Sequence, residues 1–215
     1  MPPRSTKWRA EPHTVAKHRI LEKYLQGWLP ALLLGGHPRI VIIDGFAGPG
    51  EYVGGEEGSP LIALRAYLDH AHRGRMRGEL VFLFIEERRD RAQYLEQVAL
   101  PKLGARPDNV KVSVHRGRFD ETMTRALDAL DEHERHLAPT FAFLDPFGFS
   151  DTPMPVTGRI LRHPRSEVLV TFMIESVNRF LTHPSEKVAA RYDAPVRGPG
   201  VASSGRRPEE AGCHR

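Results

Sequence analysis

Three acidic side chains each close a run of strand-forming residues: Asp44 after "RIVII", Glu86 after "ELVFLFI" and Asp145 after "TFAFL". A carboxylate at the carboxyl end of a buried strand can accept hydrogen bonds from an ammonium, an amino group or a pair of vicinal hydroxyls. Asp44 opens the stretch "DGFAGPG" (44–50), in which Gly45, Gly48 and Gly50 flank Phe46. Glycines there admit φ > 0 and, lacking a Cβ, let the backbone approach a ligand closely. The spacing is neither G-x-G-x-x-G nor a loop ending in G-K-[ST], so pyrophosphate or triphosphate cradling is disfavoured. The plain alternative is a tight strand-to-helix turn that binds nothing. Glu86 follows about forty residues later, at the end of the next apolar run, where one carboxylate matches the two hydroxyls of a ribose. Alone it reads more readily as a solvated acid; beside the glycine turn it points to a nucleoside-bearing ligand. After a third run, "GRFDE" puts Arg118, Phe119 and Asp120 at the same rim, Phe119 being either a base-stacking ring or core.

The elements that must position these residues alternate regularly. The spacing of Ile20, Leu21, Tyr24, Leu25, Trp28 and Leu29 predicts a helix over 12–34 with Thr14 as its N-cap, stopped by Gly35, Gly36 and Pro38. Strands are expected at 39–43, 79–86, 109–117, within "TFAFLDPFGF" at 140–149 and at 167–175, and helices at 59–71 (Ser59 as N-cap, Pro60 at the first position), 88–100 and 119–136. A short helical link is expected before the fifth strand, and another helix from 176. Most of the strand runs are apolar on both faces, which implies strands buried by helices above and below. The third alternates and belongs nearer an edge. Strand–helix alternation with right-handed crossovers gives an α/β fold, a doubly wound and mostly parallel sheet. Ligands of such sheets bind beyond the carboxyl ends of the strands, where these acids lie.

The chain has 215 residues, 40% hydrophobic and 27% charged, which suits one globular domain with a tail. No apolar run nears the ~20 residues of a membrane span, and the first residues carry no apolar signal core. A cytoplasmic protein without a membrane partner is the expectation. The single Cys213 excludes a disulfide framework and any multi-cysteine metal site, and the scattered histidines offer only the weak spacings His70–x–His72 and His133–x–x–His136, so no metal is expected. The net charge of +4 rests mainly on arginine, which suits phosphate contacts but also follows from compositional bias. The division expected is an N-terminal helical segment, 1–38, the α/β domain, 39–181, and a tail, 182–215. That tail is rich in Pro, Gly, Ser and Arg, reads as disordered, and suggests a chain cut short or read out of frame at its C-terminus.

The ordered set D-x-F-A-G-x-G, strand-end acid and D-P-F-G resembles the Rossmann-type S-adenosylmethionine-dependent methyltransferases. "KWRAEPHTVAKHRILEKYL", "IDGFAGPGEYVGGEEGSPLIAL" and "FAFLDPFGF" together resemble the three-Cys-motif partner family, TcmP, over about residues 7–181. Its members are bacterial and phage proteins, methyltransferase-like and encoded beside a partner with a three-cysteine motif. The resemblance implies S-adenosyl-L-methionine as cofactor, with Asp44, Gly45, Phe46, Gly48 and Gly50 in its loop and Glu86 on its ribose. It implies that the loop 51–60 closes over the cofactor. It also implies a catalytic fourth-strand motif, Asp145, Pro146 and Phe147, in which carboxylate and carbonyl accept hydrogen bonds from a target amino group while an aromatic stacks on an extruded base. The motif departs from the amino-methylating pattern in having one proline, with Gly148 where Tyr or Trp would stand. Trp8, Lys17 and Phe149 are the candidate substrate contacts, nucleic acid being favoured over a small molecule; Lys17, His18, Arg19 and Lys23 with Trp8 mix cations and an aromatic as single-strand binders do, though a solvated helix face would look the same. Two rival readings remain: a catalytically inactive binding partner of a three-Cys-motif protein, and a metal-dependent nuclease using the three acids.

Overall fold

The computed structural model describes residues 5–146 and 154–171, all of them within one compact unit, Met1–Met173. The calls on Phe147 and Phe149, on the second half of the fifth strand and on everything beyond Thr171 lie outside the described residues. Five parallel strands form one sheet: β1 (Arg39–Asp44), β2 (Glu79–Glu86), β3 (Val110–Arg116), β4 (Thr140–Leu144) and β5 (Glu167–Val170). Their order is β3-β2-β1-β4-β5, so the chain winds outward from β1 to β3, returns, and continues on the other side. This is a doubly wound Rossmann-like α/β fold, and β1 borders the point where the strand order reverses.

Period-two alternation sends the two sets of strand side chains into separate cores. Ile40, Ile42, Leu80, Phe82, Phe84, Phe141 and Phe143 pack beneath α1 (Pro12–Leu33), α2 (Ser59–Leu68) and the α3 segment (Arg89–Tyr94). Ile43, Ile85, Ala142 and Leu144 pack against Phe119, Met123 and Leu127 of α4 (Phe119–Glu132) and Val156 and Ile160 of α5 (Met154–Leu161). β3 is an edge strand with three of its seven residues exposed and one buried, as its alternating sequence predicts.

Local chemistry moves several boundaries. Pro12 takes the first turn of α1, so Glu11 rather than Thr14 is the N-cap residue and Thr14 sits inside the helix. Likewise Gly58, not Ser59, caps α2, which ends at Leu68. The third helix is broken: α3 passes into a wider π-turn at Leu95–Ala99 and a 3-10 turn at Leu100–Leu103 that accommodates Pro101. α1 buries Leu21, Leu25, Trp28, Leu29 and Leu33, leaves Ile20 (59% exposed) on its outer side, and stacks the half-exposed Tyr24 on Phe141 of β4. Pro30 stands inside α1 and has no N–H for the carbonyl of Gln26. His70 Nε2 lies 3.1 Å from that oxygen, while His70 Nδ1 accepts the His72 N–H, which fixes the ring with the proton on Nε2.

Candidate functional site

Register places the three acids together. Asp44 is level with Phe84 on β2 and Phe143 on β4, so Glu86 and Asp145 each stand two residues beyond its level on the flanking strands. The same period of two turns all three side chains toward one face, the one carrying α1, α2 and α3. They are close enough for the charges of Asp145 and Glu86 both to act on Asp44.

The acids differ sharply in environment. Asp44 is 2% exposed; Oδ1 accepts the Phe46 N–H at 3.1 Å, whereas Oδ2 is buried with no hydrogen-bond partner among the described residues. Burial pushes its carboxyl up to about 7. The nearby Ser59 hydroxyl, which stops short of a hydrogen bond, and the Phe46 N–H oppose that shift, and the charges of Asp145 and Glu86 add to it. Glu86 is also buried, and both oxygens are engaged: Oε2 accepts the Gly48 N–H at 2.9 Å and Oε1 the Arg88 N–H at 2.8 Å. Burial pushes its carboxyl above the usual carboxylate range, while those two N–H groups and the Arg91 charge hold the rise in check. Each oxygen keeps a second lone pair for a ligand hydroxyl. Asp145 is half-buried, and Lys17 Nζ sits over its two oxygens at 2.7 and 2.6 Å.

The glycine turn is shaped by these contacts. Gly48 (φ +62°) directs its N–H to Glu86, and Gly50 (φ +78°) lies so near Leu61 and Leu95 that a Cβ there would come within 3.0 Å of both. Gly45 differs from the sequence expectation: its φ is not positive, and it is required because a Cβ would strike Leu144 and Phe119, each at 2.7 Å. Phe46 packs on Phe119 with centroids 5.9 Å apart, and Pro146 is buried beside Asp145.

The N-terminal segment closes one side. Trp8 accepts the Val53 N–H through its carbonyl, meets Tyr52 edge-on at 5.4 Å, and covers the buried guanidinium of Arg91 at 4.4 Å. Arg91 in turn donates to the Ser5 carbonyl, and Thr6 donates to Asp90. Lys17 therefore reaches the fourth-strand acid and Trp8 the glycine turn, where Trp8 lies 3.6 Å from the point a Gly48 Cβ would occupy. Asp44 and Asp145 lie on this covered side. The open side is a crevice of about 110 Å³ lined by Gly45, Phe46, Glu86, Arg88, Phe119 and Asp120, which brings the predicted rim residues together. A larger cavity of about 650 Å³ lies away from the strand ends, between α1 and α2.

Two participants, Tyr52 and Arg91, were not singled out by sequence, and a third, His18, expected on a cationic helix face, is buried instead. His18 is 8% exposed, its ring 5.7 Å from Tyr52; burial pushes it down to about 4, Asp145 opposing and Lys17 assisting. It shares a helical face with Leu21, Leu25 and Leu29, the signal that could have shown it to be buried. Tyr52 is held well above the ordinary phenol range, by burial first and then by the charges of Asp145 and Asp44. Arg91 is one turn into a helix from a strand-end acid, and nothing in its spacing marks it as the seat of Trp8. Among the described residues no three His, Cys, Asp or Glu side chains are placed to hold a metal ion, and no helix is long and apolar enough to cross a membrane.

No family model matches this chain, and no curated protein matches it significantly. Among solved structures it is similar to Trm1 from Pyrococcus horikoshii, determined in complex with S-adenosyl-L-methionine, at 15% identity and a TM-score of 0.41. The match covers 78% of this chain and 37% of that one, so the chain spans little more than a third of that protein's length.

Proposed function

We propose that this protein is an S-adenosyl-L-methionine-dependent methyltransferase of the three-Cys-motif partner type, acting on a nitrogen-bearing acceptor at the fourth-strand acid. The observation that carries the reading is Asp44 Oδ2: a fully buried carboxylate oxygen without a hydrogen-bond donor among the described residues, at the strand end beside the glycine turn. A buried acceptor left unmatched costs about 1–3 kcal/mol, and a ligand ammonium would supply the missing donor. The residues present suit such a cofactor. Asp44 would hold its ammonium, and Glu86 would offer its remaining lone pairs to a ribose in the crevice bounded by Phe46 and Phe119. When bound, the cofactor supplies a methyl group on an electron-poor sulfonium, so catalysis is chiefly alignment of the acceptor. Asp145 and the Pro146 carbonyl would orient the acceptor's N–H groups, with His18 and Tyr52 as uncharged neighbours on the α1 side.

Isothermal titration of S-adenosyl-L-methionine tests this directly. Saturable binding that weakens at least tenfold in Asp44→Asn is expected; absence of heat at millimolar cofactor overturns it. A second reading is favoured by the crevice itself, which at about 110 Å³ falls below the ~300 Å³ at which ligand pockets begin. On that reading the chain is a binding partner of a three-Cys-motif protein with the chemistry lost, and co-purification with that partner without methyl incorporation would select it. Nucleic acid as the acceptor draws its support from the family resemblance and the cationic character of Lys17, Arg19 and Lys23 on α1.

A further inference from the structure

Residues 5–10 lie beside the glycine turn with no helix or strand of their own, and none of them is buried. Polar and aromatic contacts hold them at two places. On α3, Thr6 donates to Asp90 at 2.7 Å, Lys7 to Tyr94 at 3.1 Å and Arg91 to the Ser5 carbonyl at 3.2 Å, with the Trp8 ring over the Arg91 guanidinium. On the loop 51–58, the Trp8 carbonyl accepts the Val53 N–H at 2.8 Å and its ring meets Tyr52 edge-on. The loop has fastenings of its own. Glu51 accepts from Lys102 and Tyr94, the Tyr52 N–H donates to the Glu56 carbonyl at 2.9 Å, and the Gly58 N–H donates to the Gly50 carbonyl at 2.7 Å. Residues 5–10 can therefore leave while the loop stays. Their pivot is Glu11, extended (φ −88°, ψ 156°) because Pro12 disfavours a helical residue before it, so the hydrogen bonding of α1 does not run back into them.

Arg91 is both the seat of Trp8 and part of the wall of the crevice of about 110 Å³. Tyr52, behind Trp8, is near enough to Asp44 and Asp145 to sense both charges. With Trp8 in place the crevice is smaller than the ~300 Å³ at which ligand pockets begin, and Asp44 Oδ2 is sealed from it. We infer, resting on the methyltransferase reading above, that residues 5–10 are a strap gating this site, with Glu11 as its pivot and Trp8 as its latch on Arg91 and Tyr52. Lifting the strap joins the crevice, past Arg91 and Tyr52, to the Asp44 carboxylate. The movable cover is this N-terminal segment, and the loop 51–58 keeps its place. Only the lifted form has room for a ligand, so the rate of association follows the fraction of molecules in that form.

Amide hydrogen exchange, read residue by residue by NMR on the full chain, tests the strap without any cofactor. The Val53 N–H, whose acceptor is the strap, should be protected at least about tenfold less than those of Tyr52 and Gly58, whose acceptors belong to the loop and the glycine turn. Trp8→Ala should loosen Val53 by about fivefold more and leave Gly58 unchanged. Thr6→Val, which removes the bond to Asp90 and keeps the ring, should act in the same direction and serves if Trp8→Ala fails to fold. Equal protection at the three amides, or a variant that loosens Gly58 as much as Val53, overturns an independent strap; no response of Val53 to either variant overturns the latch. In a second arm, association of S-adenosyl-L-methionine is followed by surface plasmon resonance, and a rate constant about tenfold larger in Trp8→Ala than in the wild type is expected. An equal or smaller one overturns the gate and leaves cofactor binding standing. A chain that binds no cofactor at millimolar concentration overturns the methyltransferase reading and the gate with it, and the exchange arm still decides whether the strap lifts.

Discussion

Replacing Asp44 by Asn tests the central electrostatic feature of the site without altering its shape. Asn keeps an oxygen for the Phe46 N–H and removes the ionisable oxygen that has no hydrogen-bond partner among the described residues. The Asp44 carboxyl stands at about 7 in the folded protein against an ordinary 3.8. That gap of about three pH units corresponds to about 4 kcal/mol at 1.36 kcal/mol per unit. The sign follows from proton counting. Between these two values the folded chain holds a proton that the unfolded chain has released, so the contribution of Asp44 to stability falls as pH rises and is fully lost above about pH 7. His18 runs the other way: its folded value of about 4 lies below the ordinary 6.5, so stability is gained as pH rises through that interval. The two slopes offset each other in the wild type, and the quantity to read is the difference between variant and wild type. Urea unfolding midpoints from about pH 4 to 8 should show Asp44→Asn gaining on the wild type by about 1.4 kcal/mol per unit, reaching about 4 kcal/mol near pH 7 and levelling beyond it. A difference independent of pH would mean that Asp44 is ionised throughout in the folded protein, and the orphan argument would fail with it. On the methyltransferase reading, affinity for a cationic ammonium should also fall about tenfold per pH unit below about 7 in the wild type and stay flat in the variant.

Gly50→Ala should cost about 2–5 kcal/mol, combining a strained positive φ with overpacking against Leu61 and Leu95, while Gly55→Ala (φ +89°, open space) should cost only the backbone share of about 1–2 kcal/mol; equal midpoints for the two would refute the close packing of the turn. Glu86→Gln must present an amide NH₂ to one of two N–H groups, so a loss of about 1–3 kcal/mol and faster hydrogen exchange at Gly48 or Arg88 are expected, and unchanged exchange would show that the carboxylate does not hold the turn. The His18 ring resonances should show no titration above about pH 5, since burial holds the imidazole neutral; an inflection near the ordinary 6.5 would place the ring in solvent.

How much of this was legible beforehand follows a physical line. Strand identity and the sheet's parallel character were readable because runs such as "IVII" and "VFLFI" are apolar on both faces, and only a strand covered by helices above and below needs that. The positions of Asp44, Glu86 and Asp145 at strand ends follow from the same runs, and the edge placement of β3 from its alternation. Helix ends were less legible, since Pro12 and the π-turn at Leu95–Ala99 are settled by local hydrogen bonding that apolar spacing does not register. What the acids do in the fold was beyond the sequence altogether. A strand-end carboxylate has the same spacing whether it faces solvent, a ligand or its own backbone. Only the three-dimensional packing turned Glu86 onto the N–H groups of Gly48 and Arg88, set Lys17 on Asp145 across 128 positions of chain, and left Asp44 Oδ2 buried without a hydrogen-bond partner among the described residues. Periodicity along a chain encodes which face of an element is buried; which partners meet across that face depends on strand order and register, and those are decided by the whole fold at once.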